Sequence, residues 1–175
     1  MAVLAAGCAV ALAVELARAR HGATRIVFTR VTGRLLRLHE HERWSGATWL
    51  LLAFLGATVV APRDVAISAM WAIAVGDAAA AMVGRAVARR TSLRGRRSQH
   101  SPRVDESSKT FAGSAACFAL TLMGALVVAR VTVTESLIAA AAATAAERPS
   151  TRLDDNLRIA AAVVGGILLW RIMFS

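Results

Sequence analysis

The sequence predicts an all-α integral membrane protein of about six transmembrane helices with an amphipathic interfacial segment, and three observations carry that prediction. Apolar residues make up 57% of the 175 and gather into runs of membrane-like length. The arginines lie between those runs, mostly in every second loop. No polar stretch is long enough for a separate soluble unit, so residues 1–175 read as one membrane-embedded domain. The formal net charge of +10 does not indicate a nucleic-acid binder, because aromatic residues suited to stacking on bases are few and sit at helix ends. Cys8 and Cys117 both fall in apolar segments, which excludes a disulfide framework and a cysteine metal cluster.

The first apolar run, Met1 to about Leu16, lacks a basic n-region and a signal-peptidase site. It reads as a retained membrane helix, the shortest of the set. Residues 17–46 carry Arg18, Arg20, Arg25, Arg30, Arg34, Arg37 and Arg43 among interleaved apolar residues. That composition suits an amphipathic helix on an anionic membrane surface. His39 and His41 lack helical metal spacing and read as part of an interfacial salt-bridge cluster. The second helix is expected from about Ala47 to Ala61, with Trp44 and Trp49 at its interfacial end and Pro62-Arg63-Asp64 as a turn. A third runs from Val65 through Gly84, and the polar stretch Arg85–Lys109 follows. The fourth spans about Thr110–Ala129 and the Ala-rich fifth Ser136–Ala146. After the polar loop Glu147–Arg158, the sixth covers Ile159–Met173.

Loops 17–46, 85–110 and 147–158 hold seven, eight and three basic residues, which is 18 of the 21 in the chain. The positive-inside rule places those loops in the cytoplasm and the protein in the cell membrane. Helices two, four and six then begin on the cytoplasmic side, after Ser45-Gly46-Ala47-Thr48, Ser107-Ser108-Lys109-Thr110 and Asp154-Asp155-Asn156. Each is a run of N-cap residue types, and helix N-termini bind phosphate well.

The third helix carries Gly76-Asp77-Ala78-Ala79-Ala80-Ala81-Met82-Val83-Gly84-Arg85. A charge near the bilayer centre costs roughly 2.5–3.5 kcal/mol on insertion scales, so Asp77 is expected in a protein interior. Gly76, Ala80 and Gly84, spaced by fours, form a stripe that lets another helix approach closely. The plain structural reading of this stretch is a packing helix whose Asp pairs with an Arg. The functional reading joins Asp77 and Glu147, delivered from the outer side, to the helix starts and a cationic rim, as a site for a metal–nucleotide complex. Lys109 is the only lysine beside 20 arginines, and a compact ammonium suits phosphate. No Walker loop and no dinucleotide-fold glycine pattern is present.

Together these motifs resemble the CTP-dependent lipid kinase family, which includes dolichol kinase, phytol kinase and the CTP-dependent diacylglycerol kinase. The resemblance rests on Gly76-Asp77-x-x-Ala80-x-x-x-Gly84-Arg85, Lys109-Thr110-x-x-Gly113-Ser114, Glu147 and Asp154-Asp155-Asn156. It extends upstream to Glu15-x-x-Arg18 and to Arg37-x-x-Glu40 before Gly46-Ala47-Thr48, and is nearest to the short prokaryotic members. Val87-Ala88-Arg89-Arg90 departs from the pattern, where a glycine is common. The resemblance implies phosphorylation of a membrane lipid alcohol by CTP with Mg²⁺. It implies that Gly76, Gly84, Arg85, Lys109, Thr110, Gly113 and Ser114 bind nucleotide, that Asp77, Lys109 and Glu147 are catalytic, and that Asp77, Asp154, Asp155 and Asn156 hold the metal. Arg37 and Glu40 would be accessory. The lipid head is expected to reach the site through the crevice at the Gly76–Gly84 stripe. A CTP:phosphatidate cytidylyltransferase is the alternative enzyme, although a Lys-Asp pair and a late His-Gly-Gly-x-x-Asp-Arg are both missing. A small transporter or scaffold is the non-enzymatic alternative.

Overall fold

A computed structural model describes residues 1–32, 44–95, 110–147 and 153–174. These form helices α1 (Ala2–Arg20), α2 (Gly22–Thr32), α3 (Gly46–Val60), α4 (Arg63–Trp71), α5 (Ala78–Gly95), α6 (Phe111–Gly124), α7 (Val133–Glu147) and α8 (Asp155–Phe174). A π-helical turn, Ala72–Asp77, joins α4 to α5 in one continuous helix, and a second, Ala125–Ala129, ends α6.

Among the described residues, four helices are long and apolar enough to cross a membrane: Ala2–Arg20, Arg63–Arg90, Phe111–Ala129 and Asp155–Phe174. The other two expected spans, α3 and α7, have 15 residues each. At 1.5 Å per residue each is about 22 Å long, short of a hydrocarbon core of roughly 30 Å. The first helix is not the shortest, as expected, but has 19 residues. It continues through Arg18, whose charge Glu15 compensates one turn earlier. Within the basic segment 17–46, α2 follows a turn at the extended residue His21 and packs on α1, with Ile26 and Val27 exposed.

Local chemistry explains where the helices begin. Ser45 caps α3 by accepting the Thr48 amide. Thr132 and Glu135 form a capping box at the start of α7: Glu135 Oε2 accepts the Thr132 amide at 2.8 Å, and Thr132 Oγ1 accepts the Glu135 amide at 3.3 Å. Between α6 and α7 the chain turns at Arg130, which sits in the left-handed region at φ 58°.

The core is made mainly of small side chains. Ala53, Ala57, Val65, Ala69, Ala72, Ala139, Ala143, Ile159 and Val163 are buried together. Lipid is as apolar as a leucine side chain, so close backbone approach between small residues does more to join membrane helices than large apolar groups. Many large ones, such as Val3, Val10, Met123, Val127 and Ile172, point outward. α4 and its π turn lie in the middle, packed on α3, α6, α7 and α8, and α1 packs outside on α3. At the end of the bundle where α4 starts, Arg171 of α8 bonds Asp64 of α4 and Glu135 of α7, each at 2.5 Å. This ties three helices together at the end opposite Asp77's neighbours.

Candidate functional site

The Gly76–Gly84 stripe forms a seam with the antiparallel helix α6. A β-carbon at Gly76 would overlap the Thr121 hydroxyl and lie 3.5 Å from the Cys117 carbonyl and thiol. One at Gly113 would stand 2.8 Å from the Ala80 carbonyl, and one at Gly84 would stand 3.2 Å from Thr110 Oγ1. Small residues on both helices therefore bring the backbones together, as the spacing predicts. The same contact overturns the expected passage for a lipid head, because α6 fills the crevice along the stripe.

Asp77 is the last residue of the π turn and half-buried beside this seam. Glu147 ends α7 and is buried. Gly76, the neighbour of Asp77, packs on Cys117 of α6, and the Thr144 hydroxyl of α7, one turn before Glu147, is within hydrogen-bonding reach of the same sulfur. Three helices thus converge on Cys117, seven residues after Thr110. That is about 10 Å, or two turns, inside the start of α6. The exposed Arg85 lies eight residues past Asp77, on the same side of α5 and nearer the α6 start.

The three helix starts on this side are not alike. At α3, Glu15 Oε1 accepts the Ser45 amide at 2.8 Å and the Thr48 hydroxyl at 3.2 Å, while its other oxygen takes Arg18 at 2.7 Å. Arg18 also lies over the Phe28 ring, 4.1 Å from its centroid. At α8, Asp154 accepts the Asn156 amide at 2.9 Å and Asp155 pairs with Arg158 at 2.5 Å. Asn156 reaches the Gly46 carbonyl at 3.5 Å. At α6, Thr110 Oγ1 accepts the Gly113 amide at 3.1 Å, and Ser114, one turn in, is buried. No carboxylate of the described residues hydrogen-bonds to the α6 start. The expectation of three exposed helix N-termini is therefore corrected: α3 is closed by a glutamate from α1, and α8 by its own aspartates.

Among the described residues no group of three or more His, Cys, Asp or Glu side chains is arranged to hold a metal ion. Asp154, Asp155 and Asn156 are engaged in capping, in an ion pair with Arg158 and in contact with α3. Mg²⁺ is commonly held by only one or two carboxylates together with substrate phosphates, and a single carboxylate such as Asp77 or Glu147 suits that role. Lys109, Arg37 and Glu40 lie outside the described residues.

Sequence reasoning overlooked Cys117 and Thr144 as neighbours of the carboxylates. The signal was present in the spacing of Thr110, Gly113, Cys117 and Thr121, a stripe of small and hydroxyl residues at helical intervals. Compared with family models, curated proteins and solved structures, the chain matches none.

Proposed function

We propose that this protein transfers the γ-phosphate of CTP to the hydroxyl of a membrane lipid alcohol of the polyprenol, diacylglycerol or phytol-like kind. The observation that carries the reading is the meeting of three helices at Cys117, two turns inside the α6 start, with Asp77 next to the Gly76 contact and Glu147 one turn past Thr144. The choice of CTP rests on the motif resemblance.

In this reading the phosphates lie against the first amides of α6, where the helix dipole and Thr110 favour an anion. Arg85 and Lys109 offset phosphate charge from the rim. Mg²⁺, when bound by Asp77 and Glu147 with phosphate oxygens, would neutralise charge on the transferring group. One of the two carboxylates accepts the proton of the lipid hydroxyl. The protein contributes positioning and charge placement, which carry most of the catalysis in phosphoryl transfer. The lipid approaches the flank of α5 that carries Ala78 and Ala81, which α6 does not cover.

The same reading has all six apolar helices crossing, with the bilayer thinned locally around α3 and α7, and the basic loops in the cytoplasm. A cysteine at exposed Arg63 should then react with an impermeant thiol reagent in intact cells, and one at exposed Arg90 should not.

The deciding experiment runs purified protein and Mg²⁺ with γ-labelled or α-labelled CTP and reads label in the lipid phase. Label from the γ position alone is the expected result, and Asp77→Asn should abolish it. Label from the α position would identify a cytidylyltransferase. Label from neither, across all three alcohols, would leave the transporter or scaffold reading.

A further inference from the structure

The α4–α5 helix changes its surroundings at one place. In α4, Val65, Ala66, Ser68 and Ala69 are buried against α3, α6 and α8. Past Asp77 the helix packs closely only on α6 among the described elements, and Ala80 is the one buried residue from 78 to 90. The π turn Ala72–Asp77 lies between the two halves.

Trp71, the last residue of α4, sits over Gly124 of α6, where a β-carbon would overlap its indole ring. Its ring N–H donates to the Leu120 carbonyl at 2.9 Å. Five residues on, Gly76 meets the same helix at Thr121 and Cys117. In an α-helix a step of five residues ends roughly 140° round from its start, so Trp71 and Gly76 could not both face α6. A π turn closes i→i+5 bonds and absorbs the extra residue, which puts both on one face. From Gly76 onward the seam proceeds by fours, through Ala80 and Gly84, as an ordinary α-helix does. The partner helix leaves α geometry at the same contact: its own π turn begins at Ala125, directly after Gly124.

Asp77 follows Gly76 and inherits its orientation. Removing the extra residue would rotate Asp77 by roughly 100° against the outer half of the helix. We infer that Trp71 is a positioning residue: anchored on Leu120 and Gly124, it imposes the π turn that fixes the rotation of Asp77 about its helix, next to the Gly76 contact with Cys117. This rests on the proposed function only where activity is measured.

The test is a crosslink that needs no catalysis. In a Cys8→Ala background, Asp77→Cys and native Cys117 are treated with a short, membrane-permeant bifunctional maleimide. Intramolecular bridging is then read by mass. With Trp71 present the bridge should form. Trp71→Phe should lower its yield at least fivefold while helix content and gel-filtration profile hold. Should Trp71→Phe fail to fold, benzothienylalanine at position 71 keeps the ring shape and removes only the N–H donor, and it should show the same loss. In protein with Asp77 intact, Trp71→Phe should reduce kcat about tenfold and leave KM for CTP within twofold, because the phosphate seat lies on α6. Equal bridging with and without the indole N–H overturns the inference. A wild-type protein that bridges as expected yet transfers no phosphate would instead sink the kinase reading and leave the role of Trp71 standing.

Discussion

The starts of α3 and α6 carry similar local sequence, Ser45-Gly46-Ala47-Thr48 and Thr110-Phe111-Ala112-Gly113, yet the fold puts them to different use. Each is capped by its own hydroxyl, and each presents the positive end of a helix dipole. At α3 that end meets Glu15, only 4% exposed, which bonds the Ser45 amide, the Thr48 hydroxyl and Arg18. An anion from the protein already occupies the place a phosphate would take. At α6 no described carboxylate does so, and Gly84 and Ala80 of the α5 seam pack against Thr110 and Gly113. Cap residues thus mark where a helix starts; what the dipole binds depends on which distant side chain the fold brings to it.

The largest expected effect comes from emptying the occupied end. Glu15→Ala would remove the carboxylate that bonds the buried Arg18, the Ser45 amide and the Thr48 hydroxyl, at a cost of roughly 1–3 kcal/mol for each buried donor left unsatisfied. Thermal unfolding in detergent should show a marked loss of stability. KM for CTP, measured on the fraction that remains folded, should not move if α3 is structural.

The converse change brings a carboxylate to the α6 start. Ala112→Asp places a carboxylate in the first turn of α6, which should stabilise the helix by about 0.3–1 kcal/mol. The same charge should raise KM for CTP at least tenfold by competing with phosphate. A variant that is more stable but binds CTP as tightly as wild type would remove α6 from the phosphate site.

A smaller effect tests the seam that brings α5 to the α6 start. Gly113→Ala sets a methyl 2.8 Å from the Ala80 carbonyl, so the two backbones must part. Overpacking of this kind costs about 1–3 kcal/mol, readable as a lower unfolding temperature. The smallest is a control remote from both starts. Arg130→Gly relieves a left-handed backbone and should raise stability by up to about 1 kcal/mol, leaving any CTP-dependent activity unchanged.

The apolar runs and the residues that end them were legible because helix periodicity and capping are local. Ser45, Thr110 and Asp154 all stand where N-caps were expected. The Gly76–Ala80–Gly84 stripe was legible for the same reason, since spacing by fours defines a face. The closure of α3 was not, because Glu15 lies 30 residues before Ser45 and nothing in its immediate sequence names that partner. Nor could periodicity reveal the π turn. It arises from two separate attachments to α6, at Trp71 and Gly76, whose spacing of five fits no α-helical face.

What the sequence determines by itself, then, is the set of apolar helices, their caps and the small-residue seam. Each follows from the chemistry of residues within a turn or two of one another. Tertiary structure alone decides that four helices among the described residues have the length to cross unaided, that Glu15 seals α3, and that α5, α6 and α7 come together at Cys117. Those outcomes depend on pairings between distant segments, where a side chain's partner is fixed by the packing of whole helices and not by its neighbours along the chain.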